Sequence, residues 1–162
     1  MKLFRCLFLL LSCLCLWGCE EENKGAMPPI FQGFSISPSI VHPGDKVTFT
    51  AVQIQSGRNL YGAKHSWKLT SPQSDVVLSY ETAEGKSESS TDNPVWTVEI
   101  PEDAPAGIYT GTFSANWNNA SDGHTEQYDG GTGEGCTGRI MSYGSTLYSR
   151  ATGTFQVRVS GK

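Results

Sequence analysis

Beyond its first 18 residues this chain has almost no cysteine, no long apolar run, no segment with a helical hydrophobic period and few cations. Each shortage excludes something. Cys6, Cys13 and Cys15 lie within the first 18 residues and Cys19 has another use, argued below, so Cys136 stands alone and no intrachain disulfide is expected. Without Lys2 and Arg5, residues 19–162 carry 10 basic and 16 acidic side chains, a net charge of −6, with no basic stripe along the sequence. Phosphate backbones are held by clustered Lys and Arg, so nucleic acid is not an expected partner. A stretch of 144 residues suits one domain with an adequate core, which need not depend on cross-links.

What is present begins with residues 1–18: a basic start with Lys2 and Arg5, an apolar run from Leu7 to Trp17 broken by Ser12, then Gly18. That is the anatomy of a cleaved signal peptide. A permanent span needs roughly 20 apolar residues, and this run is too short and ends against Glu20, Glu21 and Glu22. The phrase LWGC, ending at Cys19, resembles the lipobox of bacterial lipoproteins, although Trp17 is bulkier than the small residue usual there. The resemblance implies that the Cys19 thiolate, a strong nucleophile, takes up a diacylglycerol as a thioether and becomes the mature N-terminus. Two or more palmitate-type chains give a stable anchor where one does not. The glutamates after Cys19 resemble the export signal of Bacteroidetes lipoproteins displayed at the cell surface. The expected location is therefore the outer membrane, lipid-anchored and facing outward.

Residues 19–29 are polar, acidic and end in Pro28 and Pro29, which reads as a lipidated tether. From Ile30 to Lys162 the apolar residues recur at every second position in short runs, the mark of half-buried strands. Phe34 and Ile36 form one, and Val47, Phe49 and Ala51 the next, after the turn His42-Pro43-Gly44-Asp45. In the third, Ala63, His65, Trp67 and Leu69 face one way while Lys64, Ser66 and Lys68 face the other. Val76, Leu78 and Tyr80 follow, then a polar stretch from Glu81 to Asn93, then Trp96, Val98 and Ile100. Tyr109, Phe113, Ala115 and Trp117 share a face of the sixth run, and Gly153, Phe155, Val157 and Val159 make the seventh. About seven strands without helices predict an all-β, antiparallel β-sandwich.

The Trp on the third strand (Trp67) and the run Gly107-Ile108-Tyr109 after a turn resemble an immunoglobulin-like domain, the second like its tyrosine corner. Position 111 is glycine where an antibody domain has cysteine, and the second strand has no cysteine to pair with it. The closer resemblance is to disulfide-free immunoglobulin-like modules of bacterial surface proteins, with phrases such as PGDKVTFTA and PEDAPAGIYT. Such modules serve as scaffolds and adhesive spacers more often than as enzymes.

The span from Asn118 to Arg150 is too long for a hairpin connection, and such spans are functional, disordered or conceal further strands. Its aromatics, with Trp117, supply the candidate ligand contacts Trp117, Tyr128, Tyr143 and Tyr148, because aromatic faces beside Asn and Asp suit sugar rings or peptides. The bland alternatives are a core role for Trp117 and an added hairpin covering the sandwich edge. Asp129 to Glu134 could offer oxygens to calcium, but the run matches no full calcium-loop pattern and reads as a solvated glycine loop. His42, His65 and His124 show no metal-ligand spacing, and Cys136 has no family signature around it. No metal or other cofactor and no catalytic set is expected. The expectation is a non-catalytic binding or adhesion module that engages another surface protein or a glycan, with an accessory subunit of an outer-membrane complex as the alternative.

Overall fold

The computed structural model describes residues 25–73, 78–81 and 93–161 of the chain. Residues 1–24, with the signal segment and Cys19, lie outside the described residues, as do Val76 and residues 82–92. The described residues form nine strands and no helix: β1 (Ile30–Ser37), β2 (Lys46–Gln55), β3 (Leu60–Thr70), β4 (Leu78–Glu81), β5 (Val95–Glu99), β6 (Gly107–Asn119), β7 (Glu126–Asp129), β8 (Arg139–Gly144) and β9 (Tyr148–Val159). They build two antiparallel sheets, one of three strands in the order β1-β2-β5 and one of six in the order β4-β3-β6-β9-β8-β7.

The alternation read from the sequence is what places the core. Val47, Phe49 and Ala51 of β2 meet Trp67 and Leu69 of β3, Tyr109, Phe113 and Ala115 of β6, and Phe155 and Val157 of β9, all buried in one cluster. Aromatic rings carry much of it. Phe34 of β1 lies 4.6 Å from Phe155 and 6.0 Å from Trp67, and Trp67 lies 4.5 Å from Phe113, in tilted and edge-on arrangements that ring quadrupoles favour. Burying one such side chain contributes about 1.5–3 kcal/mol.

Two turns show their mechanism. At His42–Asp45 the Asp45 carboxylate accepts the His42 N–H at 2.7 Å, and Gly44 takes a φ of 90° that a side chain would resist. Before β6 the Tyr109 hydroxyl donates to the Pro105 carbonyl at 2.9 Å, pinning the entry of that strand to the loop that precedes it.

The added hairpin weighed for the long span before Arg150 is present, as β7 and β8 at the sheet edge. Three expectations need correction. The strands number nine among the described residues, not about seven, and β9 begins at Tyr148, five residues before the expected Gly153. The glycine-rich connection at 130–138 is docked on β1, where Phe34 and Thr137 exchange both backbone hydrogen bonds (2.9 and 2.8 Å) and Gly133 donates to Gln32 at 2.9 Å. Residues 25–29, read as the far part of the tether, belong to the domain. Met27 and Arg58 exchange backbone hydrogen bonds, Ala26 donates to Asp122, and the Ser142 hydroxyl donates to Pro29, while Pro28 is fully buried. Their backbone groups are satisfied across the fold, a pairing that has no periodic signature in sequence.

Candidate functional site

The inner face of the six-stranded sheet is consumed by the core, and its outer face spans more strands than the outer face of the three-stranded sheet. Antiparallel partners point to the same side, and the register therefore lays the outer face of the larger sheet out row by row. The middle row runs across β3, β6, β9, β8 and β7 as Ser66, Ser114, Thr152, Met141 and Asp129. On one side lies Lys64, Asn116, Arg150, Tyr143 and Gln127, and on the other Lys68, Thr112, Thr154 and Arg139. Beyond the first of these comes Tyr61, Asn118 and Tyr148.

Side-chain length gives this layout its shape. Ser66, Ser114, Thr112, Thr152 and Thr154 are short and sit at the centre, whereas Lys68, Arg139 and Met141 are long and flank them. The result is an open trough of about 870 Å³ floored by hydroxyls. A second recess of about 350 Å³, lined by Tyr143, Tyr148, Arg150 and Gln127, continues from it through Met141 and Thr152. The Ser66 and Ser114 hydroxyls bond each other at 2.7 Å, which fixes the floor across β3 and β6.

A bulge completes the aromatic end. Between Tyr61 and Lys64 β3 carries one residue more than β6 opposite, with Gly62 at a φ of 63°. That extra residue brings Tyr61 and Lys64 to the same side, where a regular strand would part them. Tyr61, Tyr143 and Tyr148 consequently stand together at one end of the trough, 47%, 36% and 47% exposed, the latter two with ring centres 6.2 Å apart.

The electrostatics are lopsided. Lys64, Lys68, Arg139, Arg150 and Arg158 all project from this face, half of the 10 cations in residues 19–162. Among the described side chains the face carries one carboxylate, Asp129, and the register places Glu81 of β4 opposite Ser66 in the middle row. The Asp129 Oδ2 accepts from Arg139 Nη2, and its Oδ1 accepts the Gly131 N–H at 2.8 Å. The premise that the chain has no basic cluster is thus corrected: the strands gather cations that are scattered along the sequence.

The four aromatic candidates do not form one platform. Tyr143 and Tyr148 share the outer face, as described. Trp117 points inward, 5% exposed, with its ring 6.0 Å from that of His65. Tyr128 pairs with Ser142 and so turns to the inner side at the sheet edge, where its hydroxyl donates to Glu126 at 2.9 Å. Burial, and then the hydrogen bond and charge of Glu126, push its pKa up, against an opposing pull from Arg58.

The remaining chemistry-bearing residues lie apart from the trough. Both Asp129 oxygens are engaged as above and Glu134 is exposed in the turn beyond, so these two carboxylates are not directed at a common point. His42 occupies its turn, and His65 lies on the inner face beside Phe113 and Trp117, where burial lowers its pKa. Cys136 is half-buried in the connection docked on β1. Among the described residues no group of three His, Cys, Asp or Glu side chains could hold a metal ion.

Sequence reading missed the trough, although one signal was there. The outward set Lys64, Ser66 and Lys68 was legible, but its neighbours Asn116, Thr112, Arg150, Thr152 and Arg139 join it only once strand order is known. No family model matches this chain, and no curated protein or solved structure is significantly similar to it.

Proposed function

We propose that this chain is a non-catalytic, lipid-anchored binding module of the bacterial outer membrane that holds a glycan on the outer face of its six-stranded sheet. The observation that carries this reading is the trough: a floor of five Ser and Thr hydroxyls, walls of Lys and Arg, and exposed tyrosines at one end. Hydroxyls and cations match the polar rim of a sugar ring, and tyrosine faces match its apolar side. A protein partner could use the tyrosines, arginines and Met141 as anchors, but the floor between them is Ser and Thr rather than the large apolar side chains of an interface core, which favours the glycan.

A binding role also fits the chemistry of the face. General acid–base catalysis needs a base in reach of substrate, and Asp129 is held by Arg139 and Gly131. His65 faces the opposite side of β3 from Ser66, so no imidazole stands behind the floor hydroxyls. The frame fits an immunoglobulin-like module without disulfide: β1-β2-β5 against β3-β6-β9 corresponds to strands A-B-E against C-F-G, and the Tyr109 to Pro105 bond corresponds to the tyrosine corner. In that frame β7 and β8 are a hairpin inserted before the last strand, which widens the sheet and supplies one wall of the trough. Anchoring rests on Cys19. The chain enters the domain beside Arg58 and Asp122, so the tyrosine end of the trough would be its anchor-proximal end.

Two experiments test the proposal. The mature protein displayed against a glycan array should retain a subset of glycans, and Tyr148→Ala should abolish that retention. Retention of no glycan, with capture of one stoichiometric envelope protein instead, would replace it with the accessory-subunit reading. For the anchor, Cys19→Ala should remove labelling by a fatty-acid analogue and release the protein from the membrane fraction. Labelling that persists would refute it.

A further inference from the structure

From the charge on the trough we infer the class of glycan: an acidic one, bearing carboxylate or sulfate groups. The inference rests on the glycan-binding reading above and extends it to specificity.

The geometry begins with the two rows that flank the floor. Lys64 and Arg150 stand on one side of Ser66, Ser114 and Thr152, and Lys68 and Arg139 on the other. With strands about 4.8 Å apart, Lys64 and Arg150 are two strand spacings, about 10 Å, from each other, and Lys68 and Arg139 three spacings, about 14 Å. Four residues of strand separate Lys64 from Lys68, about 13 Å. Four cations therefore bracket a floor of hydroxyls at intervals suited to charged groups repeating along an extended oligosaccharide.

All four side chains are exposed. Among the described residues neither Lys68 nor Arg150 enters an ion pair, so these two charges are open to a ligand. Arg139 is held in place by Asp129 with part of its planar donor fork committed. Gathering cations on one sheet face of a chain whose residues 19–162 carry a net charge of −6 leaves a locally positive surface on an acidic protein. Such a surface attracts an anionic ligand while the rest of the molecule repels it, which fixes where the ligand lands. A neutral glycan would meet Lys68 and Arg150 only through hydrogen bonds to neutral groups, whereas charged groups on the ligand would also use their charge.

Other polyanions are separated by the same features. An acidic peptide would gain the charges but has no need of a hydroxyl floor. A single-stranded nucleic acid would stack its bases on a run of aromatic faces, whereas Tyr61, Tyr143 and Tyr148 stand at one end of the trough, Tyr80 lines its β4 side, and the floor between them is hydroxyl and cation.

The test uses the full-length mature protein and calorimetric titration with defined probes: a galacturonate tetramer, the same tetramer with its carboxylates methyl-esterified, and a sulfated tetrasaccharide with its unsulfated parent. A glutamate hexamer and a short single-stranded DNA serve as non-glycan polyanions. The expected result is that at least one acidic glycan binds roughly ten-fold or more tighter than its uncharged counterpart. That margin should collapse near 0.5 M salt, where the Debye length is roughly 4 Å. Lys68→Gln and Arg150→Gln should each weaken the acidic probe about ten-fold and the uncharged one by a clearly smaller factor, so that the margin between them narrows. Equal binding of charged and uncharged glycans would overturn the inference and leave the glycan-binding reading in place. Equal or tighter binding of the peptide or the DNA would overturn it in favour of a general polyanion site. Binding of none of the probes, together with an array that retains neutral glycans, would overturn the acidic specificity alone, and an array that retains nothing would overturn both. The comparison of ester with acid needs no variant, so it decides even if a substitution impairs folding.

Discussion

The inner side of the trough strands is held by a contact that a single methyl group should break. Gly111 of β6 faces Phe155 of β9 directly across the ladder, and a Cβ added at Gly111 would lie 2.1–2.5 Å from three atoms of that ring. The ring has nowhere to go. Phe34 and Phe49 hold it at centroid distances of 4.6 and 4.9 Å on β1 and β2. Overpacking a core by one methyl costs about 1–3 kcal/mol, and this site belongs at the upper end because the clash is with a boxed-in ring. Against that, alanine in a strand regains about 0.5–1 kcal/mol over glycine. Gly111→Ala should therefore destabilise the domain by about 2 kcal/mol, which lowers the melting temperature of a domain this size by roughly 6–10 °C. Urea unfolding followed by the fluorescence of the buried Trp67, Trp96 and Trp117 should show a lower midpoint at unchanged slope. In a Phe155→Leu background the same substitution should cost less than about 1 kcal/mol, because the two sites share one contact. A neutral or stabilising Gly111→Ala would refute this packing account.

Further predictions follow from other parts of the fold. Tyr109→Phe removes the hydroxyl bonded to Pro105 and should cost about 0.5–1.5 kcal/mol in urea unfolding, with no shift taken as evidence that the bond does not matter. His65 has its pKa lowered by burial, so the unfolded chain binds its proton more readily than the folded one. Its contribution to stability is present above the unfolded value of about 6.5 and is lost as pH falls from there through the folded pKa. Urea midpoints between about pH 8 and 5 should show this decline, and His65→Phe should flatten it. A chain begun at Ile30 in place of Gly25 would leave the buried Ser142 hydroxyl without its Pro29 acceptor and Arg58 without Gly25 and Met27. It should be less stable by about 2–4 kcal/mol in thermal unfolding, and equal stability would return residues 25–29 to the tether.

How much could be read from sequence depended on whether a strand buries one whole face with large side chains. β3 and β6 do, through Trp67, Leu69, Phe113 and Trp117, and their alternation was plain. β8 buries Ile140, Ser142 and Gly144, and the inward start of β9 is Ser149 and Ala151, so small or polar residues occupy the core positions there. Ser142 and Ser149 are tolerated because they bond Pro29 and Asn119, partners 113 and 30 residues away. β7 lies at the sheet edge with no buried residue, which leaves no periodic signal at all. The trough was hidden for a related reason. Positions 64, 68, 139 and 150 become neighbours through the order β3-β6-β9-β8, which no local pattern encodes. The aromatic candidates failed as a set because an odd sequence separation, 128 to 143, reverses the face across one turn of the hairpin register.

The central claim is that ligand lies on the outer face of the six-stranded sheet, and backbone amide shifts in a titration with the best-retained array glycan test it most directly. The account predicts shifts concentrated at Ser66, Thr112, Ser114, Arg150 and Thr152, with the glycine-rich connection at 130–138 and the β1-β2-β5 sheet unmoved. Shifts centred on that connection or on the three-stranded sheet, with the trough silent, would contradict it.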